Sequence, residues 1–292
     1  MKRRLIKQGG GGFTIYLPRG WTRKFNIEKG DEVDVEEIDQ NLIIRLEENV
    51  KKEKKVTLDV SGYGLLVNRV IMALYMKGVD ELEVTFTNPD ELVDFQKRVI
   101  NELIGFEIIK QTQNSMVIKD IAGSETHEIN DLVRRIFFIL DSMAEEFVIA
   151  LEKKQKMKPI IEIDSSVNKF SNFCLRILNK KGDRDFSKTP HIYGIVSLLE
   201  ETGDIYKKIA LEVQNKAKIT KEQIESIKET RKSLALFKEV LFDFEKEKIV
   251  KFAKKYEEIK RKIKDENKID FYLLQLNDTI IKMNNYLLVF SL

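Results

Sequence analysis

Four polar residues on two predicted helices have the spacing of a site for a hard cation. Asp164 and Asn168 are four residues apart, and so are Glu200 and Asp204. On a helix this spacing places two side chains on one face, with about 5–6 Å between their Cβ atoms, close enough for oxygen ligands to share a cation. The alternative is that they are ordinary solvated or ion-paired positions, because the segment is rich in lysine.

Basic residues are concentrated at the start of the chain. Residues 1–30 contain eight basic side chains and one acid, whereas residues 31–50 contain eight acids and one base. The resulting charge of +7 beside −7 has the electrostatic footprint of a polyanion-binding surface, although a solvated arm would have the same composition. The candidate DNA-binding residues are Lys2, Arg3, Arg4, Lys7, Arg19, Arg23 and Lys24.

The chain offers few residues for covalent or metal-based catalysis. One cysteine, Cys174, and two histidines, His127 and His191, exclude an internal disulfide and a cysteine-rich zinc site. The glycine run 9–12 lacks the Gly-Lys-Ser/Thr of a phosphate-binding loop, and residues 62–64 match only a fragment of a dinucleotide fingerprint. We therefore expect that the protein is not an enzyme.

The overall composition is that of a globular chain with several domains. Its 292 residues are 42% hydrophobic and 34% charged, with a net charge of +3. These values exclude a disordered or collagen-like chain and predict two or three domains. The apolar runs are far shorter than the ~20 residues of a membrane span, and the N-terminus lacks the apolar region of a signal peptide. We expect a cytoplasmic protein without membrane insertion.

The first 50 residues have the pattern of a small β-rich unit. Alternating hydrophobicity predicts strands over 5–8, 13–17, 32–36 and 42–46, with a short helix over 19–25. A unit of this size buries too little apolar surface to be stable alone, so we expect it to dimerise.

Within this unit a strand ending in Leu17-Pro18 is followed by a short helix and then by Gly30-Asp31-Glu32-Val33. The segment, about 48 residues, resembles the SpoVT/AbrB family of DNA-binding domains. The resemblance implies a swapped-hairpin β-barrel, formed by an intertwined dimer whose basic face lies on DNA; some members act as antitoxins. Thr22 and Arg23 stand where the family has an arginine pair, and the glycine run replaces a further arginine, which favours phosphate contact over base-specific contact.

Residues 56–123 predict a small α/β sandwich after a charged linker at 51–55. The pattern is β-α-β-α-β-β, and the second helix begins with Asn88 as the N-cap and Pro89 in the first turn. The predicted strands are 56–60, 82–86, 106–109 and 116–118, and the predicted helices are 65–77 and 88–103.

Residues 124–292 change to the period of long amphipathic helices. Apolar stripes, prolines and polar caps predict six helices with short connections. Short connections imply antiparallel neighbours, so we expect an all-α bundle of two three-helix repeats, 124–217 and 218–292.

Two stretches of this bundle, 160–178 and 198–210, look like the second and third helices of a PhoU repeat. PhoU domains are six-helix bundles that regulate phosphate uptake through a transporter ATPase and a sensor kinase, and several bind iron or other metals through Glu/Asp-x-x-x-Asp motifs. Glu200 and Asp204 match one motif, and Asp164 begins the other, in which Asn168 replaces the second acid. The resemblance implies a divalent metal or iron held by Asp164, Glu200 and Asp204, whereas residues 276–281 of the second repeat lack the motif.

The order of the three segments resembles that of archaeal-type PhoU-related regulators. It implies a multidomain α+β protein: a homodimeric, DNA-binding transcriptional regulator of phosphate uptake and homeostasis. The alternative is an adaptor that does not bind DNA, in which the N-terminal unit only dimerises and the bundle contacts a phosphate transporter ATPase or a sensor kinase.

Overall fold

The computed structural model describes residues 2–38, 40–46, 53–88, 102–123, 128–183 and 185–292. The chain divides into two compact units, Met1–Lys54 and Lys55–Leu292. The first unit is β-rich, and the second combines a small sheet with a C-terminal helical bundle. The prediction of a mixed α+β chain that ends in a bundle of six long helices is confirmed at this level.

The N-terminal unit consists of two antiparallel hairpins with a short helix between them. Within the described residues the hairpins form separate two-stranded sheets, so one copy of the chain forms no barrel. Gly10 and Gly11, with φ of 100° and 94°, make the turn of the first hairpin, where a residue with a Cβ would be strained. The elements are β1 (Ile6–Lys7), β2 (Phe13–Thr14), α1 (Arg19–Lys24), β3 (Val33–Ile38) and β4 (Asn41–Leu46).

The described side chains of this unit form no buried core. Among its residues whose exposure the structure describes, none is buried. Large apolar side chains are instead exposed: Phe13 by 63%, Tyr16 by 73% and Leu42 by 69%. Apolar surface of this extent on so small a unit indicates that another surface covers it.

The second unit begins with a four-stranded sheet in the order β5-β6-β8-β7. Strands β5 and β6 are parallel, and the other pairs are antiparallel. One face of the sheet is buried, with Leu82, Val84, Met116 and Ile118 almost fully covered. The elements are β5 (Lys55–Asp59), α2 (Val67–Met76), β6 (Glu81–Thr85), β7 (Phe106–Gln111) and β8 (Ser115–Asp120). Most of the helix expected over 88–103 lies at 89–101, outside the described residues.

Six long helices follow, and local sequence signals account for where they start. Pro159 and Pro190 occupy first turns, where no N–H partner is needed. Thr220 and Gln223 form a reciprocal capping box, and Asn267 caps the last helix. The helices are α3 (Ile129–Glu152), α4 (Lys158–Lys181), α5 (Thr189–Gln214), α6 (Lys221–Phe242), α7 (Lys246–Lys262) and α8 (Lys268–Ser291).

The bundle consists of two sets of three helices that pack against each other. Helices α3, α4 and α5 pack against one another, as do α6, α7 and α8, and the triplets join through α5 with α8 and α3 with α6. Leu140, Phe147, Leu199, Phe237 and Leu276 are fully buried between them. In the part of the chain that is described, no helix is both long and apolar enough to cross a membrane.

Candidate functional site

The seven predicted DNA-binding residues all lie in the N-terminal unit, and every one is exposed. Lys2, Arg3 and Arg4 precede β1, and Lys7 lies in that strand. Arg19, Arg23 and Lys24 lie on the six-residue helix α1, where Arg19 and Arg23 are one turn apart. The local fold therefore presents basic side chains both on and just before the first hairpin and on the helix that follows it.

None of these seven side chains is paired with a carboxylate among the described residues. Lys24 instead contacts an aromatic ring: its Nζ lies 5.2 Å from the ring centroid of Phe25. The ring of Phe25 also meets Trp21 edge-on at 5.9 Å, which fixes the end of α1. Exposed cations without a protein partner are free to contact an external polyanion.

The predicted metal ligands come together on two adjacent helices, Asp164 on α4 and Glu200 and Asp204 on α5. The helices approach closely here because Gly203 lies against Val167: a Cβ built on Gly203 would be 3.1 Å from Val167 Cγ1. The sequence analysis missed a fourth member, Lys207, whose Nζ lies 2.6 Å from Asp164 Oδ2 and 4.0 Å from Asp204 Oδ1. We call these four residues and Asn168 the carboxylate–lysine cluster.

Burial and mutual repulsion perturb the acids of this cluster. Burial, together with the charges of Asp204 and Asp164, raises the pKa of Glu200 to about 7. Burial also raises the pKa of Asp164, against the opposing hydrogen bond and charge of Lys207. Burial alone would lower the pKa of Lys207, but the hydrogen bond and charge of Asp164 raise it. Near neutral pH the cluster therefore contains the charged ammonium group of Lys207 and, with a pKa of about 7, the carboxyl group of Glu200, which titrates in this range.

The chemistry of this donor set does not fit a divalent metal. Asp164 Oδ2 already accepts hydrogen bonds from Lys207 and, at 3.4 Å, from the Asn168 amide nitrogen. An ammonium group repels a metal ion at the same carboxylate. Moreover, no three His, Cys, Asp or Glu side chains within the described ranges are grouped so that they could hold a metal ion.

A second buried charge lies where α4 meets the sheet, and the sequence analysis missed it as well. The Arg176 guanidinium is fully buried and donates to the carbonyl oxygens of Tyr75 and Val79, each at 2.7 Å. It also donates to Asp120 Oδ2 at 2.7 Å. The rings of Tyr75 and Phe106 lie 4.9 Å from it.

Both missed residues leave a weak signal in the sequence. Lys207 follows Asp204 by three positions and Glu200 by seven, so all three share one face of α5. Arg176 interrupts the apolar run Cys174-Leu175-Arg176-Ile177-Leu178, where a charge requires a buried partner. Arg176 holds the sheet and the bundle together and has no access to a ligand.

No protein-family model, curated protein or solved structure matches the chain. Its function is therefore inferred from its own residues.

Proposed function

We propose that this chain is a homodimeric, cytoplasmic transcriptional regulator that binds DNA through its N-terminal unit and regulates phosphate uptake. The observation that carries the DNA-binding part is the set of seven exposed basic side chains without a carboxylate partner among the described residues. A dimer would double this set. The link to phosphate rests on the resemblance of residues 160–178 and 198–210 to two helices of a PhoU repeat.

The exposed apolar side chains of the N-terminal unit support dimerisation. Two hairpins that do not pair with each other leave open strand edges beside exposed Phe13 and Leu42. A second copy offers matching edges and matching apolar side chains, and intertwining the two would give the swapped-hairpin β-barrel of the SpoVT/AbrB family. Closing a barrel removes free strand edges, which otherwise promote aggregation.

The bundle then has the role of a sensor or partner-binding region. Residues Lys55–Leu292 form one compact unit, in which contacts such as that of Arg176 with Asp120 join the bundle to the sheet. In the alternative, adaptor function, the same bundle docks on a transporter ATPase or sensor kinase and the basic side chains are inert.

Salt-dependent DNA binding distinguishes these two functions. We expect the full chain to bind a fluorescent duplex of random sequence at low salt, with an affinity that falls steeply as salt is added. Arg23→Ala combined with Lys24→Ala removes up to four phosphate contacts per dimer and should reduce the slope of log K against log salt by up to about 3–4. Anisotropy titrations measure both quantities.

The matched control is Lys251→Ala combined with Lys254→Ala, which removes two exposed lysines from α7. This variant should retain the wild-type slope. Absence of binding by the intact dimer at low salt would refute the regulator and favour the adaptor. Chromatin mapping of the tagged protein then tests the phosphate link, which fails if the bound sites lie away from phosphate-transport genes.

A further inference from the structure

The carboxylate–lysine cluster contains its own cation. Lys207 comes from the same helix face as Glu200 and Asp204, and it reaches across to Asp164 on α4 with a 2.6 Å hydrogen bond. The Asp164 side chain is 2% exposed and that of Lys207 is 35% exposed. A buried carboxylate with so short a contact to an ammonium group is charge-compensated within the protein.

The orientation of Asn168 favours the same interpretation. A metal site would use the Asn168 carbonyl oxygen as a ligand, because hard cations take oxygen donors. Here the amide nitrogen is turned toward Asp164 and donates to it at 3.4 Å. Asn168 Oδ1 and Asp164 Oδ1 are buried, and neither has a hydrogen-bond partner among the described residues. These two oxygens are therefore the atoms at which a metal ion would have to bind if the cluster held one, and the metal test below addresses them directly.

We infer that Lys207 is the resident cation of this cluster, in place of a divalent metal, and that its ammonium group joins α4 to α5. The inference rests on the contacts within the bundle and is independent of whether the N-terminal unit binds DNA. It is an alternative to the expectation of a divalent metal or iron at Asp164, Glu200 and Asp204, and the tests below distinguish the two.

The first test is the response of the full-length protein to metal. The wild-type chain is purified with and without a chelator, and its metal content is measured by mass spectrometry. Its melting temperature is then compared in chelator, Mn²⁺ and Mg²⁺, and we expect no stoichiometric metal and the same melting temperature in all three. Stoichiometric binding of either ion by the wild type that Asp164→Asn abolishes would overturn the inference.

The second test removes the lysine. Lys207→Ala leaves the buried Asp164 carboxylate without its ammonium partner and with the Asn168 amide as its only donor among the described residues. We therefore expect the melting temperature of the variant to fall by about 5 °C, allowing for the partial exposure of the lysine. The control is Lys208→Ala, the neighbouring lysine on α5, which has no described ion pair and should change the melting temperature by less than about 1 °C.

The two tests meet in a double-mutant cycle. If Lys207 acts through Asp164, then Lys207→Ala should lower the melting temperature much less in the Asp164→Asn background than in the wild type. A decrease in melting temperature of the same size in both backgrounds would overturn the inference. Equal melting temperatures for Lys207→Ala and Lys208→Ala would also overturn it.

Discussion

The two units of the chain differ in how they are stabilised. In residues 55–292 the side chains between the sheet and the helices are buried, and even one arginine, Arg176, is fully buried. In the N-terminal unit, no residue with a described exposure is buried. We therefore expect the N-terminal unit to depend on another surface for its stability, whereas the second unit has a buried core of its own. In the proposed regulator, this difference links DNA binding to protein concentration, because only the associated form has a stable binding unit.

The largest expected effect tests how far the buried contacts of Arg176 stabilise residues 55–292. Arg176→Met removes the donor shared by two backbone carbonyls and leaves Asp120, whose side chain is 4% exposed, without its ion pair. We expect a loss of about 3–5 kcal/mol in the free energy of unfolding, measured by urea denaturation.

The matched control for Arg176 is Arg135→Met, which removes an exposed arginine of α3. Arg135 lies over the rings of Phe138 and Phe170 at 5.5 and 5.6 Å, so it also contacts two aromatic rings. If both variants lose the same free energy of unfolding, the hydrogen bonds and the ion pair of Arg176 contribute nothing beyond its packing on aromatic rings.

The next effect tests whether the N-terminal unit depends on a second copy. Phe13→Asp places a charge on an exposed apolar side chain of β2, and we expect the dissociation constant of the proposed dimer to rise about 100-fold, or roughly 2.7 kcal/mol. Light scattering over a dilution series measures it.

Leu65→Asp is the control for Phe13, since Leu65 is 100% exposed but lies in the second unit. It should leave the dimer intact. If Phe13→Asp leaves the proposed dimer intact, or if Leu65→Asp dissociates it to the same extent, the assignment of the association surface to the N-terminal unit is wrong.

The smallest effect concerns pH and the carboxylate–lysine cluster. The folded-state pKa of Glu200, about 7, lies above its ordinary value of 4.5, so the folded chain holds this proton more tightly than the unfolded chain. The stability that the protonated form contributes is therefore complete below pH 4.5 and is lost as the pH rises through 7.

Glu200→Gln imitates the protonated acid. We expect it to be about 1 kcal/mol more stable than the wild type at pH 8, after discounting for partial exposure, with the gain absent at pH 5. Urea denaturation at both values measures it, with the exposed Glu257→Gln as the control. A gain that is equal at both pH values would exclude titration of Glu200 as its cause.

Much of the fold could be predicted from local sequence. Pro159, Pro190 and Thr220 mark helix starts because their effects on the backbone act within one turn. The strands of the N-terminal unit were also found, although 13–17 shortened to Phe13–Thr14. A strand extends only as far as its partner does, and the partner β1 is two residues long.

The candidate sites were less predictable because their partners are distant in sequence. The spacing of Glu200 and Asp204 correctly gave a shared helix face, but Asp164 and Lys207 are 43 residues apart, and their contact depends on how α4 packs on α5. Likewise, nothing local to Arg176 identifies Asp120 or the carbonyl oxygen of Tyr75 as its partners. Periodicity indicates which face is buried, but it does not indicate what that face meets.

The position of Arg176 also has a consequence for synthesis on the ribosome. Asp120 ends the last strand of the sheet, and its ion-pair partner follows 56 residues later in the chain. At about 5–20 residues per second, the arginine is made roughly 3–11 s after the strand that needs it. During that interval the nascent sheet lacks the ion pair of Asp120 and the guanidinium donor to the carbonyl oxygens of Tyr75 and Val79, and these contacts form only when α4 emerges.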